Sequence, residues 1–147
     1  METMISSTTG VYPKKSINFG SVYTKFISGL GSNTGSVTSF LGVARSESAR
    51  GKRKTKYLVM ESYKEHANRV LNRICAEVKA KYKLNDIVIV HALGRFTPGQ
   101  AVVLVMVSSS RRDASFRALR EAVERYKKEP ALFKQEIYVD GSSAWIS

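Results

Sequence analysis

Two uninterrupted runs rich in β-branched side chains, Ile87–His91 and Ala101–Ser108, set the tightest limit on how this chain can fold. Valine and isoleucine are stiff at χ1 and pack well on a pleated surface, so each run reads as a strand. Between them stands Pro98-Gly99. Proline's fixed φ and glycine's freedom at positive φ suit the two central places of a type II turn. A β-hairpin is the simplest reading, and its apolar face needs a covering layer.

The remaining sequence supplies candidates for that layer. Residues 1–10 are small and polar and read as a flexible leader ahead of a short strand around Val11 and Tyr12. Val22, Tyr23, Phe26, Ile27 and Leu30 follow helical spacing until Gly31–Gly35 breaks it. Ser36–Ala44 resembles a strand, and Arg50–Lys56 follows with five basic residues as a mobile basic loop. Tyr57–Glu61 is a strand candidate. The next helix draws its face from Tyr63, Ala67, Val70, Leu71, Ile74, Val78 and Tyr82. A second long helix is expected from about Arg111 to Lys127, with Phe116, Leu119, Val123 and Tyr126 buried, ending before Pro130. Phe133–Val139 closes the chain as a strand. The order predicts an α+β sandwich in which both main helices cover one side of a mostly antiparallel sheet, with 11–147 as a single domain.

Among 147 residues, 24 Lys+Arg against 12 Asp+Glu give a net charge of +12. That field suits a nucleic acid, a phosphate-bearing metabolite or an acidic protein. Apolar stretches are short and interrupted by charge, so neither a membrane span nor a signal peptide is indicated, and a cytoplasmic protein is expected. Cys75 is the single cysteine, and His66 and His91 are the only histidines, so no metal site is expected. No phosphate loop of the Walker or dinucleotide type is present.

Several cations are placed where chemistry could use them. Ser110 and Asp113 have the spacing of a capping box, which puts Arg111 and Arg112 in the first helical turn. Cations there oppose the helix dipole unless an anion binds; the alternative is two solvated arginines with Asp113 offsetting the dipole. Lys127 and Lys134 bracket Pro130, and a turn there could bring both ammonium groups to one pocket. They could equally be a helix-terminal cation and a solvent-facing strand residue. Arg45 follows the strand end FLGVA, where a guanidinium can make paired hydrogen bonds to phosphate or can simply face water. The basic run at 50–56 has no interleaved aromatics for base stacking, so a solvated loop is favoured over a nucleic-acid site. His91 reads as a hydrogen-bonded structural histidine, and Cys75 as a small buried hydrophobe.

Taken in order, FLGVAR (Phe40–Arg45), VHALGRFTPGQ (Val90–Gln100), VSSSRRDASFRA (Val107–Ala118), YKKEPALFKQE (Tyr126–Glu136) and the trailing DGSSAW resemble the large, catalytic subunit of molybdopterin synthase. The resemblance covers about residues 17–147. It implies an α/β hammerhead fold and a homodimer flanked by two small ubiquitin-like sulfur-carrier subunits, a heterotetramer. It also implies transfer of sulfur from the carrier's C-terminal Gly-Gly thiocarboxylate to cyclic pyranopterin monophosphate, giving molybdopterin with no further cofactor. By the same resemblance Lys127 and Lys134 are catalytic, while Arg45, Arg111 and Arg112 bind substrate. Three departures stand out. Arg111 occupies the usual place of a histidine, the loop after Arg45 lacks the usual His-Asn pair, and Pro130 lies one position early, so Lys127 and Lys128 both remain open as the first lysine. A carrier-binding scaffold without activity and a basic nucleic-acid-binding protein are the rival readings.

Overall fold

The computed structural model describes residues 9–48 and 51–146. Along the chain these form β1 (Gly10–Pro13), a 3-10 turn (Lys14–Ser16), α1 (Phe19–Ser28), β2 (Ser36–Val43), β3 (Thr55–Ser62), α2 (Lys64–Tyr82), β4 (Asp86–Phe96), β5 (Ala101–Ser109), α3 (Arg112–Lys128), β6 (Leu132–Tyr138) and β7 (Ser143–Ile146). The strands run in the order β2-β5-β4-β3-β6-β7, all antiparallel, with β1 added parallel to β4. The α+β sandwich is as the sequence implied.

The expected hairpin is at its centre. Gly99 has φ 97° and the Gln100 N–H donates to the Thr97 carbonyl at 3.1 Å, as a type II turn requires. Alternate residues of β4 and β5 enter opposite cores. Ile87, Ile89, Val103, Val105 and Val107 pack with α2 and α3, whereas Val88, Val90, Leu104 and Met106 pack with Val22 and Phe26 of α1. A helix layer therefore covers each face, not one side only, because a strand pair apolar at every position leaves two faces to bury.

β4 also runs past its predicted end at His91. At Gly94, φ is 134°, a conformation that side-chain-bearing residues rarely adopt. There the strand leaves β5 and pairs with β3 through Gly94–Phe96. One strand thus carries two half-sheets, joined by a third core of Ala44, Leu58, Met60, Ala92, Phe96 and Val102. β7, which sequence patterning did not show, adds to β6 after a turn in which Gly141 has φ 90°.

Other boundaries also differ from expectation. Thr9 and Gly10 are not leader: Gly10 pairs with Val90 and is buried, and the Thr9 hydroxyl accepts from the Ile89 N–H at 3.1 Å. Residues 1–8 lie outside the described residues. Thr55 and Lys56 belong to β3, while Gly51–Lys54 form the turn before it, closed by a bridge between Glu47 and Lys54; Arg50 lies outside the described residues. The N-cap of α3 is Arg111, with no side-chain cap bond, so the Ser110 capping box does not form.

The buried stripe of α3 is Ser115, Ala118, Ala122 and Tyr126, with Leu119 and Val123 only partly covered. Phe116 is 60% exposed. Small residues at the contact let the helix backbone approach α2 and β5 closely, which turns the bulkier neighbours outward. Among the described residues no helix is long and apolar enough to cross a membrane. Ala122 is fully buried, so Ala122→Leu should overpack the contact and lower unfolding free energy by about 1–3 kcal/mol in denaturant titration. Phe116→Ser should change it by less than about 0.5 kcal/mol.

Candidate active site

Where the hairpin meets the second half-sheet, a cleft of about 460 Å³ opens, lined among others by Arg45, Lys127, Lys134, Glu136, His91 and Tyr126. Arg45 reaches it because Ala44 is clamped to the hairpin turn. The Ala44 N–H donates to the Gln100 carbonyl at 2.9 Å, and the Gly99 N–H donates to the Ala44 carbonyl at 2.8 Å. Lys127 follows buried Tyr126 in the last turn of α3, and its Nζ lies 5.9 Å from the centre of the Phe40 ring. After α3, buried Pro130 turns the chain, with the Leu132 N–H on its carbonyl at 2.9 Å, and β6 brings Lys134 back to the same cleft.

Strand alternation then sets Lys134, Glu136 and Tyr138 on one side of β6. Burial lowers the Lys134 pKa from the usual lysine value, repulsion from Lys127 and Arg45 lowers it further, and Glu136 opposes the shift. The ammonium group is therefore easier to deprotonate than an ordinary lysine. Glu136 is itself buried and accepts hydrogen bonds from the Ser48 hydroxyl at 2.8 Å and the Tyr138 hydroxyl at 2.9 Å. Neither Glu136 nor these partners was singled out from sequence. The signal available was a glutamate two places after Lys134, on the same face of a strand. Thr55 also lines the cleft, with a buried Oγ1 that has no protein partner.

The two lysines and Arg45 are brought together. Lys128 is not: its Nζ lies 3.9 Å from Glu124 on the outer surface, so geometry selects Lys127 for the cleft. Nor are Arg111 and Arg112. Both are exposed at the N-terminal end of α3, roughly 20 Å along the helix from Lys127. Within one chain they stand apart from the cleft. Cys75 lies in the main core, its Sγ 3.4 Å from Thr9 Oγ1, where burial pushes the thiol up to about 11 and keeps it protonated.

The model of the MoaE protein family matches residues 13–129. The chain belongs to that family. It is 38% identical over 112 residues to the molybdopterin synthase catalytic subunit of Bacillus subtilis (strain 168), covering 76% of this chain and 69% of that protein. With the catalytic subunit of Bos taurus it shares 32% over 111 residues, 76% of this chain and 58% of the bovine protein. The crystal structure of molybdopterin synthase from Staphylococcus aureus superposes with a TM-score of 0.82 at 29% identity, covering 95% and 96% of the two chains. A complex of subunits 1 and 2 of molybdopterin-converting factor from Helicobacter pylori 26695 shares the fold, with a TM-score of 0.71 at 14% identity over 95% of this chain and 88% of that one. These relatives place the chain among molybdopterin synthase catalytic subunits, enzymes of molybdenum cofactor biosynthesis.

In this chain His91 forms part of the cleft wall. Its Nδ1–H donates to the Ala92 carbonyl at 2.8 Å, and its ring meets Tyr126 edge-on at 5.9 Å. Burial lowers its pKa to about 4 from 6.5, with Lys134 repulsion adding to the shift, so the folded protein holds it neutral. Between those values the unfolded chain binds the extra proton, so this stabilisation is complete above pH 6.5 and is lost as pH falls toward 4. Each unit of the difference corresponds to about 1.4 kcal/mol. Urea unfolding from pH 7 to 4 should show a shallower loss of stability in His91→Asn than in the parent; parallel curves would rule the histidine out as the source.

Proposed function

We propose that the chain is the catalytic half of a sulfurtransferase, converting cyclic pyranopterin monophosphate to molybdopterin with sulfur from a small thiocarboxylated carrier protein. The observation that carries this is the convergence of Arg45, Lys127 and Lys134 in one cleft from three separate elements. Three cations so close repel one another, and an anionic substrate relieves that repulsion. Arg45 holds the phosphate by paired hydrogen bonds. Lys127 stabilises negative charge on the attacked thiocarboxylate or protonates the departing oxygen. Lys134, with its depressed pKa, exchanges a proton at the substrate and keeps Lys127 and the phosphate in register. Each carrier supplies one sulfur in exchange for one oxygen and leaves as a carboxylate, so two carriers complete the dithiolene. The lone buried Cys75 fits an external sulfur source, and no cofactor or metal is invoked.

The carrier enters with its C-terminal Gly-Gly as thiocarboxylate, and the assembly is a cytoplasmic heterotetramer around a homodimer. The known complex of two subunits in the Helicobacter pylori factor supports a small partner. The distance of Arg111 and Arg112 from their own cleft supports a site completed by the second copy. Arg111, in place of the family's histidine, then binds anion but transfers no proton.

Purified chain, thiocarboxylated carrier and cyclic pyranopterin monophosphate should yield molybdopterin. Lys127→Ala and Lys134→Ala should each lower kcat by about 100-fold or more, with Lys128→Ala within about two-fold of the parent. No product from the parent, with the carrier shown to bind, would favour a scaffold instead. Co-expressed Lys127→Ala and Arg112→Ala chains should recover activity in the mixed dimer, which contains one intact shared site; a mixed dimer as inactive as its parts would confine the site to one chain.

A further inference from the structure

The segment leaving Arg45 does not simply arch through solvent. Ser48, three residues on, is buried to 5% exposure, and it meets Glu136 (5%) and Tyr138 (3%) beneath the cleft. The Ser48 hydroxyl donates to Glu136 Oε1 at 2.8 Å and lies 3.5 Å from the Tyr138 oxygen, while the Tyr138 hydroxyl donates to the same Oε1 at 2.9 Å. Backbone bonds fasten the return path: the Thr55 N–H to Ser46 at 2.7 Å, the Ser48 N–H to Arg53 at 3.1 Å and the Val139 N–H to Lys54 at 3.0 Å. The Arg53 guanidinium sits 5.2 Å over the Tyr138 ring and donates to Ser142 at 2.9 Å.

Arg45 is therefore held between two anchors. On one side Ala44 is tied to the hairpin turn; on the other, Ser48 is tied to a carboxyl that shares a strand face with Lys134. We propose that Ser48 and Tyr138, acting through Glu136, are positioning residues that fix Arg45 and Lys134 for the phosphorylated pterin. This rests on the functional reading above.

The physical case is one of pre-organisation. A long, rotamer-rich guanidinium binds phosphate well only if its backbone is already fixed, because disorder at the root of the side chain must be frozen on binding. A buried carboxyl, in turn, keeps its orientation only while its donors are present. Removing either donor lets Glu136 turn, loosening the Arg45 segment and shifting the electrostatic partner of Lys134. Neither hydroxyl touches the reacting atoms in this account, so the effect falls on substrate binding more than on turnover.

Ser48→Ala and Tyr138→Phe each delete one hydroxyl with little change of shape, and thermal melting checks that both remain folded. Equilibrium dialysis of cyclic pyranopterin monophosphate against the whole chain gives Kd without the carrier; the full reaction gives KM and kcat. Both variants should raise Kd and KM roughly 3–10-fold, with a smaller change in kcat, and the double variant should lose less than the product of the two, since both act on one carboxyl. Amide exchange followed by NMR should quicken at Ser48 and Thr55 while Ile89 and Val105 keep the parent rate. Unchanged exchange at Ser48 and Thr55 would overturn the anchor, and quickened exchange with parent-like Kd and KM would overturn its role in positioning. A parent that neither binds the pterin nor forms product would instead refute the functional reading, and positioning for that substrate with it, while exchange still decides whether the anchor exists.

Discussion

The antiparallel pairing of β4 with β5 is the interaction on which every other part of the molecule leans. Both strands are apolar at successive positions, so neither face can be left to water, and each large side chain buried there contributes about 1.5–3 kcal/mol. That demand recruits α2 and α3 to one face and α1 to the other, and β1 and β2 to the flanks. The same pair also builds the cleft. Its turn at Thr97–Gln100 holds Ala44 through two backbone hydrogen bonds, and β4 beyond Gly94 carries β3, against which β6 lies with Lys134. A change in the hairpin's length or turn type would displace the cleft side chains as well as the core.

Charge is distributed by the same architecture. On the outer surface of α2 and α3, Arg125 meets Glu77 at 2.6 Å and Glu129 at 2.6 Å, and Lys81 meets Glu121 at 2.8 Å. Basic residues there are balanced locally and bind the two helices to each other. In the cleft the balance is different: Arg45, Lys127 and Lys134 face Glu136, and the depressed pKa of Lys134 comes first from its burial and then from the positive charge of Lys127 and Arg45. An excess of one charge in a partly buried site costs stability, and lysines perturbed in this way cluster at functional sites.

Much of the fold was legible because it depends on local pattern. The β-branched runs, the Pro98-Gly99 turn and the apolar face of α2 from Ala67 to Val78 are each decided within a few residues, and the structure reproduces them; Tyr63, expected on that face, is instead the exposed N-cap, because the helix begins only at Lys64. Legibility failed where a second element had to choose among local options. Phe116 has the spacing of a core residue, yet Ser115, Ala118 and Ala122 won the contact because small side chains let the helices approach. Ser110 and Asp113 have capping-box spacing, but the helix starts one residue later, with the Arg111 N–H on the Ser109 hydroxyl at 3.2 Å. β7 is too short to show a period and exists because β6 offers an edge.

The sequence by itself determined the hairpin, the two long helices, the sign of the charge and, by resemblance, the family, and it offered a set of candidate cations. Only the tertiary structure decided which of those cations meet. Lys127 rather than Lys128 reaches the cleft because the helical phase fixed by buried Tyr126 points it there, and Lys134 joins it because Pro130 turns the chain back along β3. Arg111 and Arg112, adjacent in pattern to everything else in the family signature, are carried to the far end of α3. Glu136 and its link to Ser48 were invisible for the same reason: 88 residues separate the two in the chain, and no periodicity reports a contact that only the packing of β6 against the Arg45 segment creates.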